Sequence, residues 1–275
     1  IQQGIPVGRL TEDMNLNSEV LKSGSFVIKL DGKKGEEAKK LISELKIPVF
    51  SDIGDNDLIY KEVKMPRIAL VETYFHDMDA GWTRFVFDSY NIPFTILHPG
   101  EIAKADVAKN FDVLIFPDND KNILMEGKQK SGENYYIGNY HPDYMKGIGK
   151  EGFEEVMTFI DKGGLIISWG RSTNLFSGLL KIKKGDDTEE FQLPFRDISK
   201  TLGTKGLSVT GSLLKIEVLQ DHPLTLGMPA ETGVFSRGRP VFQTSLPGFD
   251  MDRRVIASHP EKDILMSGYI SKEEQ

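Results

Sequence analysis

The residues best suited to chemistry lie in one short stretch, Ser168-Trp169-Gly170-Arg171-Ser172. It follows Leu165, Ile166 and Ile167, an apolar run without alternation that predicts a strand covered on both faces, as in a parallel sheet. Before it, Phe153, Val156, Met157, Phe159 and Ile160 mark one face of a helix, which Gly163 and Gly164 end. In open α/β sheets, ligands and nucleophiles sit where the chain leaves the carboxyl end of a strand. Ser168 or Ser172 could therefore act as a nucleophile in a serine hydrolase. The G-x-S-x-G spacing is absent, however, and the next histidine is His222. The competing reading has Ser172 capping the following helix and Trp169 filling the pocket.

Two further polar groups fall at predicted strand ends: Glu72, His76, Asp77 and Asp79, and then Asp118, Asn119 and Asp120. A doubly wound sheet would bring them to the 168–172 turn. The expected ligand cleft, for a small molecule or a carbohydrate, is lined by Glu72, Asp118, Asn119, Trp169, Gly170, Arg171 and Ser172. Asp and Asn are equally frequent in turns for conformational reasons. His98-Pro99-Gly100-Glu101 has the H-x-x-E spacing of two zinc ligands. No third ligand is near, and a catalytic zinc takes three. Asp52–Asp57 (DIGDND) has the look of a calcium loop but lacks its closing glutamate. Tyr135, Tyr136, Tyr140 and Tyr144 give the polar insertion 120–144 an aromatic surface, with His141 solvated among them. His222 is expected to bond within its own turn. No residue is assigned a catalytic or metal-binding role.

The elements that must position these residues form two expected portions. Residues 1–64 read as a small α/β portion, with strands at Ile5–Leu10, Ser25–Leu30 and Ile47–Phe50 and a helix at Glu36–Lys46. Residues 65–275 read as a larger α/β domain with strands at Arg67–Thr73, Phe94–Leu97, Asp112–Phe116 and Leu165–Ile167. A helix at Asp79–Tyr90, capped by Asp79, is expected to bury Trp82, Phe85, Val86 and Tyr90, and a short helix lies near Ala103–Lys109. Beyond Arg171 the reading gives a short helix at Leu175–Leu180, a polar excursion at Asp186–Phe195 and a helix or loop at Phe195–Leu202. Ser212–Val218 reads as a strand and Asp221–Pro229 as a loop. Short strands at Val234–Phe235, Val241–Thr244, Val255–Ala257 and Ile264–Gly268 complete the expectation.

The chain has 275 residues, 39% hydrophobic and 27% charged, the proportions of a globular protein with a real core. Its net charge of −7 leaves no basic footprint for nucleic acid. No apolar run approaches the ~20 residues of a membrane span. Cysteine is absent, which removes disulfides, thiolate metal sites and a cysteine nucleophile. The start at Ile1 is read as the start of an excised piece of a longer protein.

Several stretches in order carry a family resemblance: PRIAL at 66–70, GWTRFVFDSYNIPFTIL at 81–97, FDVLIFPD at 111–118 and PDYMKGIGKEGFEEVMTFIDKGGLII at 142–167. GSLLKIEV at 211–218, DHPLTLGMP at 221–229 and DILMSGYI at 263–270 continue it. Together they resemble the region that follows the peptidase domain in bacterial zinc carboxypeptidases of the carboxypeptidase A type. The resemblance implies a class I glutamine amidotransferase-like domain with a flavodoxin-like, doubly wound, mostly parallel sheet. It also implies that the peptidase domain of the same polypeptide is the partner, that zinc is held there, upstream of Ile1, and not in this segment, and that the protein is secreted or periplasmic. On that reading the segment is a non-catalytic accessory domain. An amidotransferase needs a thiolate on this turn, and the chain has none.

Overall fold

The computed structural model describes residues 1–16, 19–50, 59–75, 77–128, 130–131, 134–135, 140–225, 227–245 and 255–271. His76, Tyr136 and the Asp52–Asp57 cluster lie outside the described residues. The chain divides into two compact units, 1–65 with 220–228, and 66–219 with 229–275.

In the first unit, β1 (Gly8–Leu10) pairs antiparallel with β2 (Phe26–Val27) and β3 (Tyr60–Glu62). Helix α1 spans Gly32–Leu45, and Ile5, Leu10, Leu16 and Ala38 are buried. The strand expected at 47–50 is not formed. Lys46 closes α1 in the left-handed conformation at φ 52°, and Pro48 has no N–H for a ladder.

The second unit is built on a four-stranded parallel sheet of β4 (Ile68–Val71), β5 (Thr95–Leu97), β6 (Val113–Phe116) and β7 (Leu165–Ser168), in the order β7-β6-β4-β5. The crossovers run through α2 (Met78–Ser89), through a short 3₁₀ turn and helix at Pro99–Lys104 and Val107–Asn110, and through α3 (Gly149–Asp161). One face of the sheet, with Ala69, Val71, Leu114 and Phe116, forms the main core with Ile102, Val107, Val156, Met157 and Phe159. The other face, with Leu70, Val113 and Ile115, packs on Phe87, Phe94 and Trp169. At the amino end Arg67 clamps Asp112 through Nη2–Oδ1 at 2.7 Å and Nε–Oδ2 at 3.1 Å, and its own N–H reaches Oδ2 at 2.8 Å.

Two burial expectations are reversed on this second face. Trp82, Phe85, Val86 and Tyr90 are exposed. The buried side of α2 is instead Ala80, with Phe87 against the sheet. The helix carries apolar residues on both sides, so periodicity alone admits two buried stripes. Leu165 and Ile167 on β7 are likewise exposed, because no described element covers the end of the sheet on that side.

The segment expected as a helix at 175–180 is a 3₁₀ turn, Gly170–Phe176, followed by β8 (Leu179–Lys184). The expected polar excursion forms β9 (Asp187–Gln192), antiparallel to β8. Leu180 and Ile182 point into the core, while Lys181 and its register partner Glu190 pair on the exposed side, the alternation of a half-buried hairpin. Phe195–Asp197 is a short strand paired with Phe242–Thr244, and a helix follows at Ser199–Thr204. The insertion also contains a helix at Lys121–Glu126. β10 (Ser212–Val218) pairs with β11 (Glu231–Ser236) and with short strands at Ala257–Ser258 and Leu265–Ser267, all antiparallel. Among the described residues no helix is long and apolar enough to cross a membrane.

Candidate functional site

The strand order reverses at β4, whose successors lie on opposite sides: β5 on one and β6 on the other. The carboxyl ends of β4 and β6 therefore border the crevice where such sheets bind ligands. Thr73 leaves β4 there, Pro117-Asp118-Asn119 leaves β6, and the 169–172 turn leaves β7.

Asn119 is the centre of this corner and is 1% exposed. Its side-chain amide donates to Thr73 Oγ1 at 2.9 Å, and its backbone N–H donates to Ser172 Oγ at 3.3 Å. The Ser172 hydroxyl, fully buried, reaches the carbonyl oxygens of Pro117 and Trp169. It thus ties two strand ends together and does not cap the following turn. Thr73 donates its N–H to Asp77 Oδ2 at 2.6 Å, while Asp77 Oδ1 accepts from the Ala80 N–H at 3.2 Å. Asp77, and not the expected Asp79, is therefore the cap of α2. Burial pushes the Asp77 carboxyl up from its ordinary value, and the N–H groups of Thr73 and Ala80 pull it back.

Asp118 and Arg171 close the corner toward solvent. Asp118 Oδ2 accepts from Arg171 Nη2 at 2.8 Å, and its Oδ1 accepts from the Arg171 backbone N–H at 2.6 Å. The hydrogen bond to Asp118 is the main reason the guanidinium titrates above its usual range. Gly170 makes the clamp possible. It sits at φ 60°, and a Cβ there would lie 2.2 Å from Asp118 Oδ1. Trp169 donates its indole N–H to Asp79 Oδ2 at 3.0 Å. Beside it, Asp79, Trp82, Thr83, Val86 and Trp169 line a shallow trough of about 310 Å3.

The structure thus brings Asp118, Asn119, Gly170, Arg171 and Ser172 together, with Trp169 at their edge. Glu72 stands apart. Its carboxylate pairs with Arg84 Nη1 at 3.1 Å, and its carbonyl meets His98 Nδ1 at 2.8 Å. Thr73 is the member that sequence reasoning misses, since nothing in the spacing of Thr73 and Asp77 announces their bond. In the H-x-x-E stretch, the Glu101 carboxylate folds back to accept the His98 N–H at 3.0 Å, which makes the stretch a turn. Of the other described histidines, Nδ1 of His141 accepts from the Asp143 N–H and Nδ1 of His222 from the Leu224 N–H, both within their own turns, while His259 Nδ1 meets the carbonyl of Lys215, 44 residues away. A separate cavity of about 560 Å3 is lined by residues 192–196 and 243–245, where Arg196 pairs with Gln243.

Chemically, the corner is committed to holding itself together. The backbone N–H groups of Arg171 and Asn119 in this corner, which an oxyanion would have to recruit, already donate to Asp118 and Ser172. Ser172 Oγ accepts from Asn119 and faces two carbonyls, with no described imidazole bonded to it. No family model matches the chain, and no curated protein matches it.

Proposed function

We propose that the chain is a non-catalytic, amidotransferase-like accessory domain of a zinc carboxypeptidase. Its work is to stabilise or orient the peptidase domain of the same polypeptide, which holds the zinc. The observation that carries this reading is the self-satisfied corner at Asn119, where the Asn119 N–H donates to the Ser172 hydroxyl and the Arg171 N–H to Asp118. The strand order β7-β6-β4-β5, read from β5, is 2-1-3-4, and this supports a flavodoxin-like sheet. The absence of cysteine from the turn and the separated motifs from 66 to 270 support the family reading. An exported location, secreted or periplasmic, follows from the same resemblance.

The test is direct. The purified chain is assayed for bound zinc, for release of C-terminal residues from peptides, for glutamine hydrolysis and for labelling by a fluorophosphonate. The expected result is none of the four. Stoichiometric zinc with peptide turnover, glutaminase activity, or labelling at Ser168 or Ser172 overturns the proposal.

A further inference from the structure

The face of the parallel sheet that carries α2 is half covered. Phe87 of α2 packs over Leu70, Val113 and Ile115, but on β7 Leu165 is 54% exposed and Ile167 is 42% exposed. Parallel sheets are ordinarily buried on both faces. Helix α2 has the complementary excess. Its outer stripe of Met78, Trp82, Phe85 and Val86, ending at Tyr90, is exposed, with Trp82 at 63% and Phe85 at 62%. The trough between α2 and Trp169 runs along this boundary.

We propose that a second copy of this chain covers this face, each copy laying its α2 antiparallel beside the other's. The outer stripe of one helix then rests on Leu165 and Ile167 of the partner subunit, and the reverse holds by the two-fold. Each copy supplies what the other lacks, a helix with a spare apolar side and a sheet with a bare shoulder. This is the self-complementarity an isologous interface requires. Antiparallel pairing sets Trp82 against Val86 of the partner subunit and Met78 against Tyr90 of the partner subunit. Arg84 is turned away to Glu72, and the one carboxylate lining the trough, Asp79, is held by the Trp169 indole N–H. Trp82, Phe85 and Tyr90 are 63%, 62% and 75% exposed, so each offers roughly two thirds of the about 150–250 Å2 of such a side chain. With the exposed parts of Met78, Val86, Leu165 and Ile167, complete coverage would approach the ~800 Å2 per partner of a standard interface. This interface does not depend on the accessory-domain reading.

The test is the mass in solution, by light scattering and sedimentation over a dilution series. The expected result is a species of twice the 30.8 kDa of the chain, dissociating on dilution. Phe85→Asp and Ile167→Asp, on the two halves of the interface, should each weaken the dimer by at least ~10-fold. Leu179→Asp, an exposed apolar position on β8, should leave it unchanged. Far-UV circular dichroism checks folding, and either interface variant suffices if the other unfolds. A wild-type monomer at about 100 μM, where even weak micromolar pairs associate, overturns the proposal. So does a dimer that survives both substitutions or is lost equally with Leu179→Asp.

Discussion

The hydroxyl of Ser172 is surrounded by three backbone groups: the carbonyls of Pro117 and Trp169 and the N–H of Asn119. All three lie at the carboxyl edge of the parallel sheet, where water is excluded. Ser172→Ala removes the acceptor for the Asn119 N–H and leaves that donor buried without a partner. A loss of about 1–3 kcal/mol in denaturant unfolding is expected, with no change in slope. A cost near zero would mean that the Asn119 N–H finds another partner. At this scale the sequence was partly legible. Asp118, Asn119 and Arg171 could be assembled from their positions after predicted strands. Their bonding could not, because a salt bridge spanning 53 residues leaves no trace in local spacing. Asp77 and Asp79 are equally good caps in composition, and the structure decides for Asp77, whose carboxylate takes the N–H groups of both Ala80 and Thr73.

Among the elements, β4 and β6 are held in register at their amino ends by the Arg67–Asp112 clamp. The hydrogen bond from Arg67 holds the Asp112 carboxyl down at about 2, against 3.8 for the free group. A carboxyl lowered in the folded state stabilises it above pH 3.8, and that contribution disappears as pH falls toward 2. The melting temperature of the wild type should therefore drop across this window. Arg67→Leu should melt lower at neutral pH and show a shallower drop on acidification. Salt should narrow the gap between the two, because both side chains are about half exposed. The strands themselves were readable from short apolar runs bounded by turn residues, and α3 from its stripe. Helix α2 forms within one residue of where its periodicity puts it, but with its other side to the sheet. Its sequence offers two apolar sides, and which one meets the sheet depends on neighbours that periodicity does not see. The β8–β9 hairpin escaped because its alternation is made by lysines and glutamates around two inward residues, Leu180 and Ile182.

For the molecule as a whole, composition indicates a globular chain with a core, and strand-helix alternation indicates an α/β fold with a parallel sheet. The assignment of 220–228 to the first unit could not be read, since a turn-rich loop carries no address for its partner. That assignment has a consequence for dissection. The chain passes from one unit to the other after residues 65, 219 and 228, so neither unit is a continuous piece of polypeptide. A protease nick at 65/66 should therefore give two fragments that co-elute in native buffer and part only in denaturant. Cloning from Pro66 onward would strand nine residues without their scaffold, and a soluble form should need residues 1–65 supplied in trans.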